Sequence, residues 1–281
     1  MIAPLASRPA PRDPQPASPD LLSTIVAAAR RMTDVRAEST PLASLEKSAA
    51  NRRPDGAGFL RALRDGAAPR VIAECKRRSP SRGILREDYR PAEHARAYAD
   101  AGAAAISVLT EPTFFDGALE HLESARAAVD VPVLRKDFIV SRYQVLEAVS
   151  AGADAVLLIV GALSPKELRE LLDVARQARV AALVEVHDGD EAAMAIDAGA
   201  DIVGVNSRNL RTLEVEADLH ERLISRLPAT VVTVAESGLR DTADLVRLAR
   251  AGYHAFLVGE RLIVQPDPGA ALRTLRGGTD Q

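Results

Sequence analysis

DAGAAAI at residues 100–106 returns as SAGADAV (150–156), DAGADIV (197–203) and RAGYHAF (250–256), a recurrence of about 50 residues. In each phrase a helical pattern ends, a glycine (Gly102, Gly152, Gly199 or Gly252) sits where a helix closes in the left-handed conformation, and an apolar run begins. The same alternation extends outward along the chain. Apolar runs occur at Val71–Ala73, Ala104–Leu109, Val131–Leu134, Ala155–Val160, Ala181–Val186, Ile202–Val205, Val231–Ala235 and Ala255–Val258. Between them lie helical patterns at Ala92–Ala101, Leu119–Ala128, Ser141–Val149, Ser164–Gln177, Asp190–Ala198 and Thr242–Ala251. Continuous apolar strands alternating with helices imply a parallel sheet covered on its outer face. Eight such units, echoed in pairs, predict an α/β protein of the (β/α)8 barrel type.

Upstream of the repeat, Leu22, Ile25, Val26, Ala29 and Met32 form one helical face. Thr40-Pro41 reads as an N-cap and first-turn proline for a second short helix, and Gly58-Phe59-Leu60 opens a third that ends near Gly66. These pieces are too small to stand alone. The expected organisation is a Pro- and Ala-rich disordered tail over residues 1–20, then a single barrel domain over 21–281 that includes the helices of 21–66.

With 281 residues, 47% apolar and 27% charged, the chain can bury a large core under a polar surface. A net charge of -3 without a basic block argues against nucleic-acid or anionic-membrane partners. No apolar run reaches membrane-spanning length, and residues 1–20 lack the apolar core of a secretory signal. Cys75 is the single cysteine, which excludes an internal disulfide and a zinc site built of cysteines. A cytoplasmic protein, monomeric or weakly self-associating, is the expectation.

Barrel chemistry gathers at the C-terminal ends of the strands. VIAECKRRSPSRG (71–83) ends its strand in Glu74 and Lys76, which share a face by alternation while Cys75 points to the helices. The third strand ends in Lys136, flanked by outward-pointing Arg135 and Asp137; the fifth ends in Glu185. The sixth ends in Asn206 with Arg208 beyond it, and the seventh in Glu236-Ser237-Gly238. Isolated strand-end ion pairs, Glu74 with Lys76 or Lys136 with Glu185, are the plain alternative. Buried charge is costly, however, and five strands converging on one rim exceed what packing needs. Gly238 and Gly259 follow the last two strands, where barrels often bind phosphate. Neither a metal-ligand constellation nor a dinucleotide fingerprint is present, so no cofactor is expected. The five histidines, His187 among them, read as surface residues.

These residues lie in phrases that together closely resemble the indole-3-glycerol-phosphate synthase family of tryptophan biosynthesis. The phrases are ECKRRSPSRG (74–83), SVLTEPTFFDG (107–117), PVLRKDFIVSRYQVLEA (132–148), LVEVH (183–187), GVNSRNL (204–210), AESGL (235–239) and LVGE (257–260), within a match from Leu21 to Leu275. The resemblance implies closure, decarboxylation and dehydration of 1-(2-carboxyphenylamino)-1-deoxyribulose 5-phosphate, without metal or organic cofactor. It implies Lys136 as general acid and Lys76 as a substrate-holding lysine that shares proton transfer. Glu185 takes the acid–base work, supported by Glu74 and Asn206, with Ser237 at the same rim. Ser79 and Arg208 would hold anionic groups, Phe115 and Phe138 the aromatic ring, and Glu236, Ser237, Gly238 and Gly259 the rest of the phosphorylated substrate.

Departures from the family pattern are few: Cys75 for an aliphatic residue, Ser207 for Asn, Ser141-Arg142 for Asp-Pro, and Glu260 where some members have Ser. The Glu260 side chain is expected to turn away from phosphate. Three other readings compete. A phosphoribosylanthranilate isomerase-like enzyme needs a catalytic cysteine on the first strand and an aspartate on the sixth. A class I aldolase needs a lysine poised as a Schiff-base nucleophile. A non-catalytic phospholigand-binding barrel would not need the acid–base set.

Overall fold

The structure, a computed structural model, describes residues 20–278. The tail expected at 1–20 lies outside them except for Asp20, which caps the first helix by accepting the Ser23 N–H. Eight parallel strands close into a barrel: β1 Arg70–Cys75, β2 Ala105–Leu109, β3 Val133–Lys136, β4 Ala155–Ile159, β5 Ala181–Val186, β6 Ile202–Asn206, β7 Val232–Glu236 and β8 Ala255–Val258. Each strand pairs with its sequence neighbours, and β1 pairs with β8. The predicted eightfold barrel is the observed fold.

Side-chain alternation sets the two faces. Val71, Ala73 and Cys75 enter the apolar layer between the strands and the outer helices, while Ile72 joins the inner core. Every barrel strand is largely buried on both faces, as a sheet inside a ring of helices must be. The predicted left-handed glycines hold: Gly102, Gly152, Gly199 and Gly252 have φ of 84°, 93°, 83° and 117°.

Among the described residues, three helices precede the barrel: α1 Leu21–Ser39, α2 Leu42–Ala50 and α3 Gly56–Asp65. Phe59 and Leu63 of α3 are fully buried in the inner core with Ile72, Ala105 and Ile202, so α3 plugs the N-terminal end of the barrel. Burying each such side chain contributes ~1.5–3 kcal/mol relative to exposure. Helix α1 buries Leu22 and Ile25 against the same cluster, and its Arg36 makes a bidentate contact with Glu147 at 2.6 and 3.1 Å. The expected Thr40 N-cap is displaced by one residue. Pro41 occupies that position for α2, because Thr40 already closes α1 by donating its N–H to the Arg36 carbonyl.

Candidate active site

The barrel's C-terminal end opens into a cavity of about 660 Å³, lined by Glu74, Lys76, Ser79, Phe115, Lys136, Phe138, Glu185, Asn206, Arg208, Glu236, Ser237, Gly238 and Gly259. Every rim residue named from the sequence is therefore brought to one space. Register explains the convergence: Leu109 lies beside Lys136, Ile159 beside Glu185, and Asn206 beside Glu236, so the strands end at one level.

At the floor, Lys136 Nζ donates to Glu185 Oε2 at 2.9 Å and stands 3.7 Å from Glu236 Oε2. Asn206 Nδ2 donates to Glu185 Oε1 at 3.0 Å, and its Oδ1 accepts the Arg208 N–H at 3.0 Å. Lys76 Nζ pairs with Glu74 Oε1 at 2.6 Å. The strand-end ion pairs thus exist, and both border the cavity. Two glycines make room for this layer. A Cβ on Gly259 would overlap Glu74 Oε1, and one on Gly204, in β6, would overlap Glu236 Oε1.

The carboxylates divide the available charge unequally. Burial alone would raise the Glu185 carboxyl, but the Lys136 ammonium, His187 and Asn206 outweigh it and hold Glu185 well below the usual carboxylate range. Burial pushes Glu236 well above that range, and the Glu185 charge adds to this against the pull of Lys136. Burial would also lower Lys136, but Glu185, Glu236 and Glu74 together hold it above an ordinary lysine. The floor therefore pairs a cationic Lys136 with an anionic Glu185 and drives Glu236 in the opposite direction to Glu185, the separation that acid–base pairs require. Glu236 Oε1 is buried with no hydrogen-bond partner.

The histidine expectation requires correction. None of the five is exposed; His94 and His220 are buried outright. His187 continues the Glu185 face of β5, with Nε2 standing 3.4 Å from Glu185 Oε1 and Nδ1 3.2 Å from Glu191 Oε2. Burial would depress its imidazole, yet the two carboxylates outweigh that and hold it at about 10. The signal was available in the sequence: residues 185 and 187 share a face for the same reason as 74 and 76.

Upper walls supply binding groups. Phe115 and Phe138 approach with ring centroids 6.2 Å apart, an apolar slot for a planar ring. Arg208 Nη1 donates to the Leu213 carbonyl at 3.0 Å, which pins the guanidinium beside the cavity. Ser79 is buried with its hydroxyl 3.4 Å from that of Ser81. Ser237 and Gly238 take successive φ of 64° and 68°; the serine is a strained residue at the cavity wall. Gly259 precedes the short helix Glu260–Ile263. The Glu260 carboxylate pairs with Arg82 at 2.7 Å. Arg82, Arg240 and Arg261 also line this end, cations that strand-end reading did not reach.

Cys75 is fully buried in the helix-facing core, and burial pushes its thiol upward. It offers no nucleophile to the cavity, and β6 presents Asn206 rather than an aspartate, which removes the basis of the isomerase-like reading. The aldolase reading needs a lysine depressed by apolar surroundings, whereas Lys136 sits among carboxylates that hold it up.

Likeness to solved structures shows the fold. Thiamine phosphate pyrophosphorylase from Pyrococcus furiosus superposes with a TM-score of 0.59 at 18% identity, over 78% of this chain and 96% of that one. 3-Hexulose-6-phosphate synthase does so at 0.58 and 16%, over 74% and 98%. Sequence likeness goes further. An indole-3-glycerol phosphate synthase of Nocardioides sp. is 50% identical over 92% of this chain and 98% of its own length. One of Mycobacteroides abscessus is 48% identical over 91% and 93%. The family model described as indole-3-glycerol phosphate synthase matches residues 22–275. The chain belongs to the indole-3-glycerol phosphate synthase family.

Proposed function

We propose that this chain converts 1-(2-carboxyphenylamino)-1-deoxyribulose 5-phosphate to indole-3-glycerol phosphate, carbon dioxide and water, as a carboxy-lyase of tryptophan biosynthesis. The observation that carries the reading is the Lys136–Glu185–Glu236 floor: a half-buried lysine paired with one buried carboxylate and standing 3.7 Å from a second, all bordering one cavity.

Ring closure makes a bond between the aromatic carbon bearing the carboxylate and the ketose carbonyl carbon. Lys136 protonates the carbonyl oxygen as it becomes a hydroxyl. Loss of carbon dioxide then returns the electron pair of the broken C–C bond to the ring. In the last stage the hydroxyl departs as water with a second proton, and the adjacent ring carbon gives up a proton to form the pyrrole. Glu185, already ionised and hydrogen-bonded by Asn206, is the base for that step. Lys76, paired with Glu74 at the cavity wall, holds the substrate and supplies the second acid.

Binding follows from the upper walls. The Phe115–Phe138 slot takes the anthranilate ring, while Ser79 and Arg208 hold anionic groups; Arg suits a planar carboxylate or a phosphate. Ser237, Gly238 and Gly259 cradle the phosphate. Glu260 is drawn to Arg82 and so kept from repelling it. A metal-free, monomeric or weakly associating cytoplasmic enzyme completes the proposal.

The test is turnover of the carboxyphenylamino-deoxyribulose phosphate with EDTA present, read by indole fluorescence against a protein that has no Trp. Growing emission with one carbon dioxide per indole supports the reading. A flat trace with measurable ligand binding would leave a phospholigand-binding barrel.

A further inference from the structure

Glu185 is, among the described residues, the one fully buried carboxylate on the cavity floor whose two oxygens are met by different cations. Lys136 Nζ takes Oε2 at 2.9 Å; His187 Nε2 stands 3.4 Å from Oε1, where Asn206 also donates. His187 is itself braced by Glu191 of the helix Gly189–Asp197. Glu191 Oε2 accepts the His187 backbone N–H at 2.7 Å and stands 3.2 Å from Nδ1. Gly161 leaves space for this brace, since a Cβ there would fall 2.8 Å from Glu191 Oε1. His187 Nε2 is buried and has no hydrogen-bond partner, so Glu185 is the group it answers to. His187 does not line the cavity, which leaves it without access to substrate.

The two cations differ in what the reaction does to them. Once Lys136 has protonated the substrate oxygen it is a neutral amine, and Glu185 loses the charge that kept it ionised on that side. The imidazolium on the other oxygen gives up nothing. Building on the function proposed above, we infer that His187, held by Glu191, is a positioning residue that keeps Glu185 a carboxylate through the stage in which Lys136 is neutral. The base for the aromatising step is then ready when the acid is spent.

The charged and titratable groups concerned are few. Facing Glu185 are Lys136 from β3, Glu236 from β7 and His187 from its own strand; facing His187 are Glu185 and Glu191. A carboxylate base works above its pKa, and removing a cation raises that pKa. His187→Gln should therefore lower kcat by about 10–100-fold with KM within about twofold, and move the acid limb of the kcat–pH profile to higher pH. Glu191→Gln weakens the hold on the imidazolium, so it should move the alkaline limb to lower pH while leaving the acid limb in place. A packing role would shift neither limb. Thermal melts of both variants separate folding loss from these effects.

An active wild type with both limbs unmoved in His187→Gln would overturn the inference alone. A wild type inactive on the carboxyphenylamino-deoxyribulose phosphate would overturn the functional reading and the inference with it.

Discussion

Two neighbouring residues of β3 enter two buried charged clusters that behave oppositely. Arg135 points outward. Its guanidinium donates to Thr110 Oγ1, the Gln144 carbonyl, Glu147 and Asp137 at 2.8–3.1 Å. Asp137 in turn accepts from the Thr110 hydroxyl at 2.6 Å and the Phe138 N–H at 2.8 Å, and Glu147 reaches Arg36 of α1. Lys136 points inward to a floor where Glu236 Oε1 lacks a hydrogen-bond partner. The outer cluster is saturated with hydrogen bonds. The inner one keeps unmet capacity beside a cavity. Buried charge serves as scaffold when its hydrogen bonds are complete, and as chemistry when the missing partner is a substrate.

The contrast can be broken from either side. Arg135→Ala leaves Asp137 without its cation and Glu147 with Arg36 alone, and should cost ~3–5 kcal/mol of stability, a fall of roughly 6–20 °C in Tm. The folded fraction should keep its KM, measured in the same turnover assay below the new Tm. Gly204→Ala should do the reverse. Its Cβ overlaps Glu236 Oε1 and displaces that carboxyl, so kcat is expected to fall ~10–100-fold while Tm drops far less than in Arg135→Ala. A pH series gives the smallest effect. His187 is held at about 10 against an ordinary 6.5, so its charge stabilises the fold fully below pH 6.5, and that contribution is lost as pH rises through 10. The Tm gap between wild type and His187→Gln should therefore be widest near pH 6 and narrow towards pH 10.

Much of this is legible in the sequence. Strand alternation separates Glu74 from Cys75 and Lys136 from Arg135 and Asp137, and the strand-end rule places Glu185, Asn206 and Glu236 at one mouth. Less legible was anything set by distance across the barrel. That Lys136 sits 2.9 Å from Glu185 but 3.7 Å from Glu236 depends on how the strands close, and so do the opposite directions in which those carboxyls are shifted. His187 is harder to read because its polar setting suggests a surface residue, although the alternation that picks out Lys76 also applies to it. The helix Leu219–Ile224 is not legible because its six residues carry too little periodicity. At Thr40-Pro41 the cap moved by one because two helices meet with no linker long enough to give each its own cap.

We propose that the inward face of β3 does chemistry that its outward face only supports. The most direct test is the kcat of Lys136→Ala, read by indole fluorescence with EDTA present, at a temperature where melts show the variant folded. The expected result is a loss of about 10³-fold or more at near wild-type Tm. A variant that kept most of its activity would contradict the assignment of Lys136 as the acid and leave the inner cluster a scaffold like the outer one.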